Sequence, residues 1–270
     1  MTEHLLDMML SRAASVLGLG LLLACTGNTD VRAAAGLVGT VLVVAGTFGH
    51  LLVGTTEIAG TLSAGAVTEI ARTTAFGSSA ATAIGSGMLL AIAHAVARRR
   101  LRGARLLSAA LAIAFALAIS AQGHAAAPHA RTLVHALHLG AASAWLGGLV
   151  ALVDAVERGY ASPKAVHAFS RLALWLVVLL VATGIARAGA HVGSLAELGS
   201  DYGRVLLLKL ALGAGALAFA ARHRRTTLPL LSEGVGIPPA FRRDLTAELV
   251  LAFCILLAAA ALGQLPPPRD

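Results

Sequence analysis

From Val166 to Ala188 the sequence runs through Trp175-Leu176-Val177-Val178-Leu179-Leu180-Val181, with Arg171 and Arg187 as its only formal charges. A helix needs roughly 20 apolar residues to cross the hydrocarbon core of a bilayer. Comparable stretches occupy 5–25, 33–54, 74–97, 104–122, 131–153, 204–222 and 244–263. None alternates strictly enough to be a strand of an outer-membrane barrel. Backbone groups facing lipid must be satisfied within their own segment, which leaves helices. The expected fold is all-α: a polytopic membrane bundle of about eight transmembrane helices, one integral membrane domain over 1–270. Composition agrees, with 57% hydrophobic and 13% charged residues, against about 25% charged in soluble domains. A water-soluble globule and a disordered chain are both excluded. So is a disulfide scaffold, because the only cysteines are Cys25 and Cys254.

The net charge of +8 would suggest a polyanionic partner in a soluble protein. Here its placement gives another reading. Arg98, Arg99, Arg100 and Arg102 fall between the third and fourth stretches with Arg105 at the start of the fourth, and Arg158 and Lys164 fall between the fifth and sixth with Arg171 near the inner start of the sixth. Arg222, Arg224, Arg225, Arg242 and Arg243 fall between the seventh and eighth, and Arg32 joins them on the same side. The positive-inside rule makes that side cytoplasmic and puts both termini outside. The excess charge then reports orientation: the partner is the lipid bilayer, and nucleic acid is not expected. Leu22-Leu23-Ala24-Cys25 offers an alternative as a lipoprotein cleavage box. Cleavage there would turn the arginine-rich loops outward, against the charge rule. Cys25 is therefore expected to be a buried thiol at the inner end of the first helix. Cys254 is expected to pack near the middle of the eighth, with no bridge between them.

The same sorting places His4, His50, His124, His129, His135, His138 and His191 on the outer side, and only His94, His167 and His223 on the inner. Imidazole ligates copper, zinc and iron. In the fifth stretch, helical spacing puts His135, His138, Ala142 and Trp145 along one stripe, and Gly140, Ala144 and Gly148 along another suited to close helix contact. His124, in Gln122-Gly123-His124 just before it, can converge with His135 and His138 at an outer mouth. The alternative is that these rings bond carbonyls of neighbouring helices. His50 shares a face with Thr47 and Gly54, and Glu57 continues that face; it is a further candidate ligand. His4 and Met8, with Asp7 nearby, form a set suited to copper, the thioether favouring Cu(I), or else an ordinary helix end. Lys209 lies two turns inside its helix on one face with Tyr202. It can snorkel outward toward Asp201 or pair within the bundle. Arg171 and Arg187 suit the interfaces, and Asp244 and Glu248 suit a helix N-terminus. The sequence has no phosphate loop, no GxSxG and no HExxH, so nothing indicates ATP-driven pumping.

These residues resemble a known family. Gln122-Gly-His124-Ala-Ala, followed by His135-Ala-Leu-His138-Leu-Gly-Ala-Ala-Ser-Ala-Trp145-Leu-Gly-Gly-Leu149, is similar to the CopD-type copper resistance membrane proteins. Phe169-Ser-Arg171-Leu-Ala, Thr183-Gly184 and Tyr202-Gly-Arg204-Val-Leu-Leu-Leu-Lys209 resemble the family's later segments in the same order. The resemblance covers about 122–265. It implies a multi-pass protein of the bacterial inner membrane linked to copper uptake or tolerance, with copper ion as cargo and a periplasmic copper-binding protein as the partner that delivers it. It supports His124, His138 and Trp145 most, with Arg171, Tyr202 and Lys209 as a shared signature. The leading expectation is a copper transporter or permease with a histidine-lined outer mouth. A second is a haem b electron carrier with bis-histidine ligation from among His50, His94, His124, His135 and His138. A third is an accessory subunit without metal. The oligomeric state stays open.

Overall fold

The structure, a computed structural model, describes residues 4–27, 33–97, 103–122, 129–232 and 237–268. Its helices are α1 (Leu5–Gly27), α2 (Ala33–Ala59), α3 (Ala64–Thr73), α4 (Ala75–Ala97), α5 (Ala104–Ser120), α6 (His129–Glu157), α7 (Pro163–His191), α8 (Asp201–Ser232) and α9 (Pro239–Leu262). A 3-10 turn, Leu195–Gly199, precedes α8. Seven of these helices are long and apolar enough to cross a membrane, and α5 carries a shorter apolar segment, Leu106–Ser120. The eight apolar stretches are thus all helical, and the chain is a polytopic helical membrane protein.

Two local features depart from the sequence reading. The first is α3, which the hydropathy reading treats as loop. It is ten residues long, too short to span, and carries Glu69 and Arg72 on a largely exposed surface. Ser63 starts it by accepting a hydrogen bond from the Ala66 N–H at 3.1 Å. Thr74 then accepts from the Gly77 N–H at 2.9 Å, so a side-chain cap opens α4 with no intervening loop. The second is the reach of α8. It continues to Ser232, so Arg222, Arg224 and Arg225 are helical residues, as are Arg242 and Arg243 in α9. Charges end a hydropathy window, but they do not end a helix.

α6 is the axis of the bundle. Its first half packs Ala136 and Leu139 into a core with Leu19, Leu22, Val43, Leu90 and Phe115 from α1, α2, α4 and α5. Its second half packs Trp145, Leu149 and Leu152 into another core with Val166, Ala216, Phe241 and Leu245 from α7, α8 and α9. Lipid tails are as apolar as these side chains, so close van der Waals packing holds the helices rather than exclusion of water. Packing is closest where α1 crosses α6. A Cβ on Gly147 would strike the backbone of Gly20, and one on Gly20 the carbonyl of Ser143. The small residues at the crossing are Ser143 and Gly147, not the Gly140–Ala144–Gly148 stripe. Gly140 faces open space, and Gly148 faces the Phe169 ring.

By contrast α7 and α8 touch only lightly. Between them, and backed by α6 and α9, lies a cavity of about 310 Å³ walled by Trp145, Phe169, Val177, Leu217 and Phe241. At the arginine-rich end, Asp154 accepts hydrogen bonds from Arg158 and Tyr160. Arg242 Nη2 lies 2.6 Å from Glu157 Oε2, tying α9 to α6.

Candidate functional site

The helix-six histidines face α7 one turn apart. His138 Nδ1 lies 2.9 Å from Thr183 Oγ1. The Thr183 hydroxyl donates its own proton to the Leu179 carbonyl at 2.6 Å, so toward His138 it acts as acceptor. The ring proton therefore sits on Nδ1, and Nε2 keeps its lone pair. An imidazole held through one nitrogen by a neighbouring acceptor, with the other free to ligate, is how proteins orient metal-binding histidines.

This contact fixes the register of the α6–α7 hairpin. His135 stands one turn from His138 toward the start of α6. Arg187 stands one turn from Thr183 toward the end of α7. The antiparallel pair therefore brings Arg187 level with His135, whose ring senses the charges of Arg187, Arg12 and Lys209. Arg187 is not an isolated interfacial arginine. Lys209, eight residues into α8, acts on the His138 ring. It does not reach Asp201, whose carboxylate lies 3.7 Å from Arg204.

His50 joins the same level from α2. Its Nδ1 lies 3.4 Å from Ser11 Oγ, and Arg12 Nε donates to its Nε2 at 3.4 Å. The ring meets Phe76 edge-on at a centroid distance of 5.6 Å. Both nitrogens of this buried histidine are thus engaged inside the bundle. Arg12 extends beyond it to the end of α9, where a Cβ on Gly263 would come 2.8 Å from Arg12 Nη1. Helical spacing by itself places Arg12 only on the face it shares with His4 and Met8. No local pattern reveals that it turns inward to α2 and α9.

The other sequence candidates sit elsewhere. His4 and Met8 lie at the start of α1, His4 with its Nδ1 3.9 Å from Asp7. His124 lies outside the described residues. Trp145, about 10 Å farther along α6 than His138 at 1.5 Å per residue, lines the α7–α8 cavity instead of the histidine layer. The Tyr202 ring faces His191 at 6.0 Å, and Arg171 is exposed on α7. Among the described residues, no three His, Cys, Asp or Glu side chains come together as a metal-ligand set. Cys25 and Cys254 are not disulfide-bonded, and Cys25 is half-buried rather than buried as expected. Cys254 is exposed on α9, so it does not pack in the core as the sequence suggested.

A haem held between two histidines finds little support in these positions. His50 uses both ring nitrogens, and His94 packs against Gly36, about 21 Å along α2 from His50. Sequence reading also underrated the far end of the bundle. Asp244 and Glu248 are buried. They lie 3.3 Å from Arg222 Nη1 and 3.5 Å from His223 Nε2, so they join α9 to α8 and do not simply start a helix. Their spacing on one face of α9 was the available signal.

A multi-pass helical membrane protein with a histidine layer in its interior is the class that this fold and site define. Comparison with known proteins narrows it. Residues 163–262 match the family model described as Copper resistance protein D. A stretch of 164 residues, 57% of this chain, is 30% identical to the copper transport protein CutJ of Bacillus subtilis (strain 168). That stretch spans 29% of the relative's length. No solved structure matches. Both findings support the CopD-type resemblance read from the sequence.

Proposed function

We propose that this protein handles copper in a bacterial inner membrane, as a permease whose ligands are the paired histidines of α6. The observation that carries this reading is the Thr183 contact, which orients His138 with its Nε2 lone pair available. His135, one turn away, offers a second imidazole, and His124, just ahead of α6, is the proposed third ligand. Two or three neutral imidazoles suit copper, and their number and geometry rather than raw affinity would set selectivity. His4 and Met8, at the start of α1, would meet the ion earlier. His50 supports the layer through Arg12 and Ser11.

The CopD-type match and the copper-transport relative support copper as the cargo. The positive-inside rule supports a histidine layer nearer the outer face, where a periplasmic copper-binding protein would deliver the ion. Trp145, Arg171, Tyr202 and Lys209 are proposed as supporting residues of this CopD-like unit.

The test is copper uptake in a strain lacking the gene, complemented with wild type, His138→Ala or His135→Ala, alongside elemental analysis of the purified proteins. The expected result is restored uptake with wild type only, and loss of bound copper in both variants. Equal uptake with and without the gene would overturn the proposal. Copper retained in His138→Ala would overturn the site.

A further inference from the structure

The histidine layer carries more positive charge than a bare cation site should. Arg12, Arg187 and Lys209 all act electrostatically on His135. Their common depth follows from packing as well. α1 and α6 run in the same direction and cross at Gly20 against Ser143 and Gly147. Measured from that crossing at 1.5 Å per residue, Arg12 lies about 12 Å up α1, and His138 and His135 about 10 and 15 Å up α6. The His138–Thr183 contact then sets Arg187 level with His135. Lys209 lies about 12 Å into α8 from Asp201, a depth close to that of His138 within α6.

Among the described residues, no ion pair joins a carboxylate to these charges. Among the described residues, every ion pair formed by an acid is with another partner: Asp7 with His4, Asp154 with Arg158, Glu157 with Arg242, Asp201 with Arg204, Asp244 with Arg222 and Arg243, and Glu248 with His223. Arg12 has other compensation, because its guanidinium reaches His50 and the carbonyl end of α9, where the helix dipole favours a cation. Among the described residues, neither Arg187 nor Lys209 forms an ion pair. The charge of Arg187 acts on Lys209 across the lightly packed α7–α8 pair, and the Tyr202 phenol acts electrostatically on Arg187. Charges within a membrane bundle are costly unless something pairs with them, and they mark ligand sites.

We propose that Arg187 and Lys209 hold a small inorganic monovalent anion beside His135, a site distinct from the metal ligands. The donors available are a guanidinium and an ammonium, which suit a halide or a compact oxyanion. The site stands on these charges alone and needs no bound copper. If the histidines do take a cuprous ion, the anion offsets its charge, and the pair enters the layer as a neutral unit.

The experiment uses the full-length protein purified in detergent, lipid-stripped and metal-free, in sodium gluconate. Sodium bromide replaces gluconate at constant ionic strength while thermal unfolding is followed. The expected result is a saturable rise in Tm of about 5 °C, absent in Lys209→Met and in Arg187→Met. Chloride NMR line broadening on wild type, reversed by added bromide, gives the same answer without relying on the folding of a variant. A flat Tm and no excess broadening would overturn the inference, as would an unchanged bromide response in both variants. Stabilisation by phosphatidylglycerol micelles without any bromide response would also overturn it and assign the charges to a lipid headgroup. Because every solution is metal-free, failure here leaves the copper reading intact. Bromide binding by a protein that takes no copper would remove the copper reading instead.

Discussion

Thr183 holds His138 by its hydroxyl oxygen at 2.9 Å, across two helices and 45 residues of sequence. Because the hydroxyl proton is already directed to Leu179, the contact selects one tautomer of the ring as well as one orientation. Replacing Thr183 with valine keeps the shape and removes the acceptor. Loss of a comparable supporting contact lowers metal affinity by about 10–100-fold. Thr183→Val is expected to show that drop in a copper titration with an unchanged melting profile, and Thr183→Ser to retain affinity. Equal affinity in wild type and Thr183→Val would remove Thr183 from the site.

The crossing of α1 and α6 leaves no room for a methyl group. In Gly147→Ala the new Cβ would meet the backbone of Gly20, which cannot swing aside as a side chain can. Overpacking of this kind costs about 1–3 kcal/mol. Gly147→Ala is expected to lower the melting temperature of the purified protein. Gly140→Ala, where the same methyl group meets open space, should melt like wild type. The contrast between the two substitutions is the measurement.

His223 and Glu248 form a buried pair whose partners depend on each other. Removing one leaves the other's polar atoms in an apolar wall beside Phe241. That costs about 1–3 kcal/mol. Glu248→Leu alone should destabilise, and the double variant His223→Phe with Glu248→Leu should recover part of the loss. Additive losses in a thermal-unfolding cycle would show that the two side chains do not interact.

Orientation is open to a direct measurement. In a background with Cys25→Ala and Cys254→Ala, single cysteines are introduced by Ser194→Cys, between α7 and α8, and by Ser162→Cys, between α6 and α7. An impermeant thiol reagent added to intact cells is expected to label the first and spare the second. The reverse pattern would invert the bundle and put the histidine layer nearer the cytoplasm.

The helices were legible because hydropathy over about 20 residues is a local property. The stretch read as 74–97 became Ala75–Ala97 with almost no adjustment. α3 was missed because ten amphipathic residues with Glu69 and Arg72 resemble a loop to any window tuned for spans. The far end of α8 was missed because Arg222, Arg224 and Arg225 dilute hydropathy without breaking hydrogen bonding. In the site, His135 and His138 could be read from their one-turn spacing. Thr183, Arg12 and Arg187 could not, because each acquires its role from a partner on another helix. Thr183 lay within the family-like Thr183-Gly184 pair, but no spacing rule joins it to His138.

The α1–α6 crossing has a consequence for the limits of the CopD-type region. The family match begins at Pro163 and ends at Leu262, yet the core inside that segment is completed from outside it. Trp145, Leu149 and Leu152 of α6 fill the space between its helices, and Leu17 of α1 packs against the same cluster. Arg12, in turn, closes on the end of α9 at Gly263. The boundary drawn by sequence similarity therefore cuts through a shared interior. An excised 163–262 fragment would present a raw hydrophobic seam where α6 belongs, and the smallest portable unit must bring α1 and α6 with it.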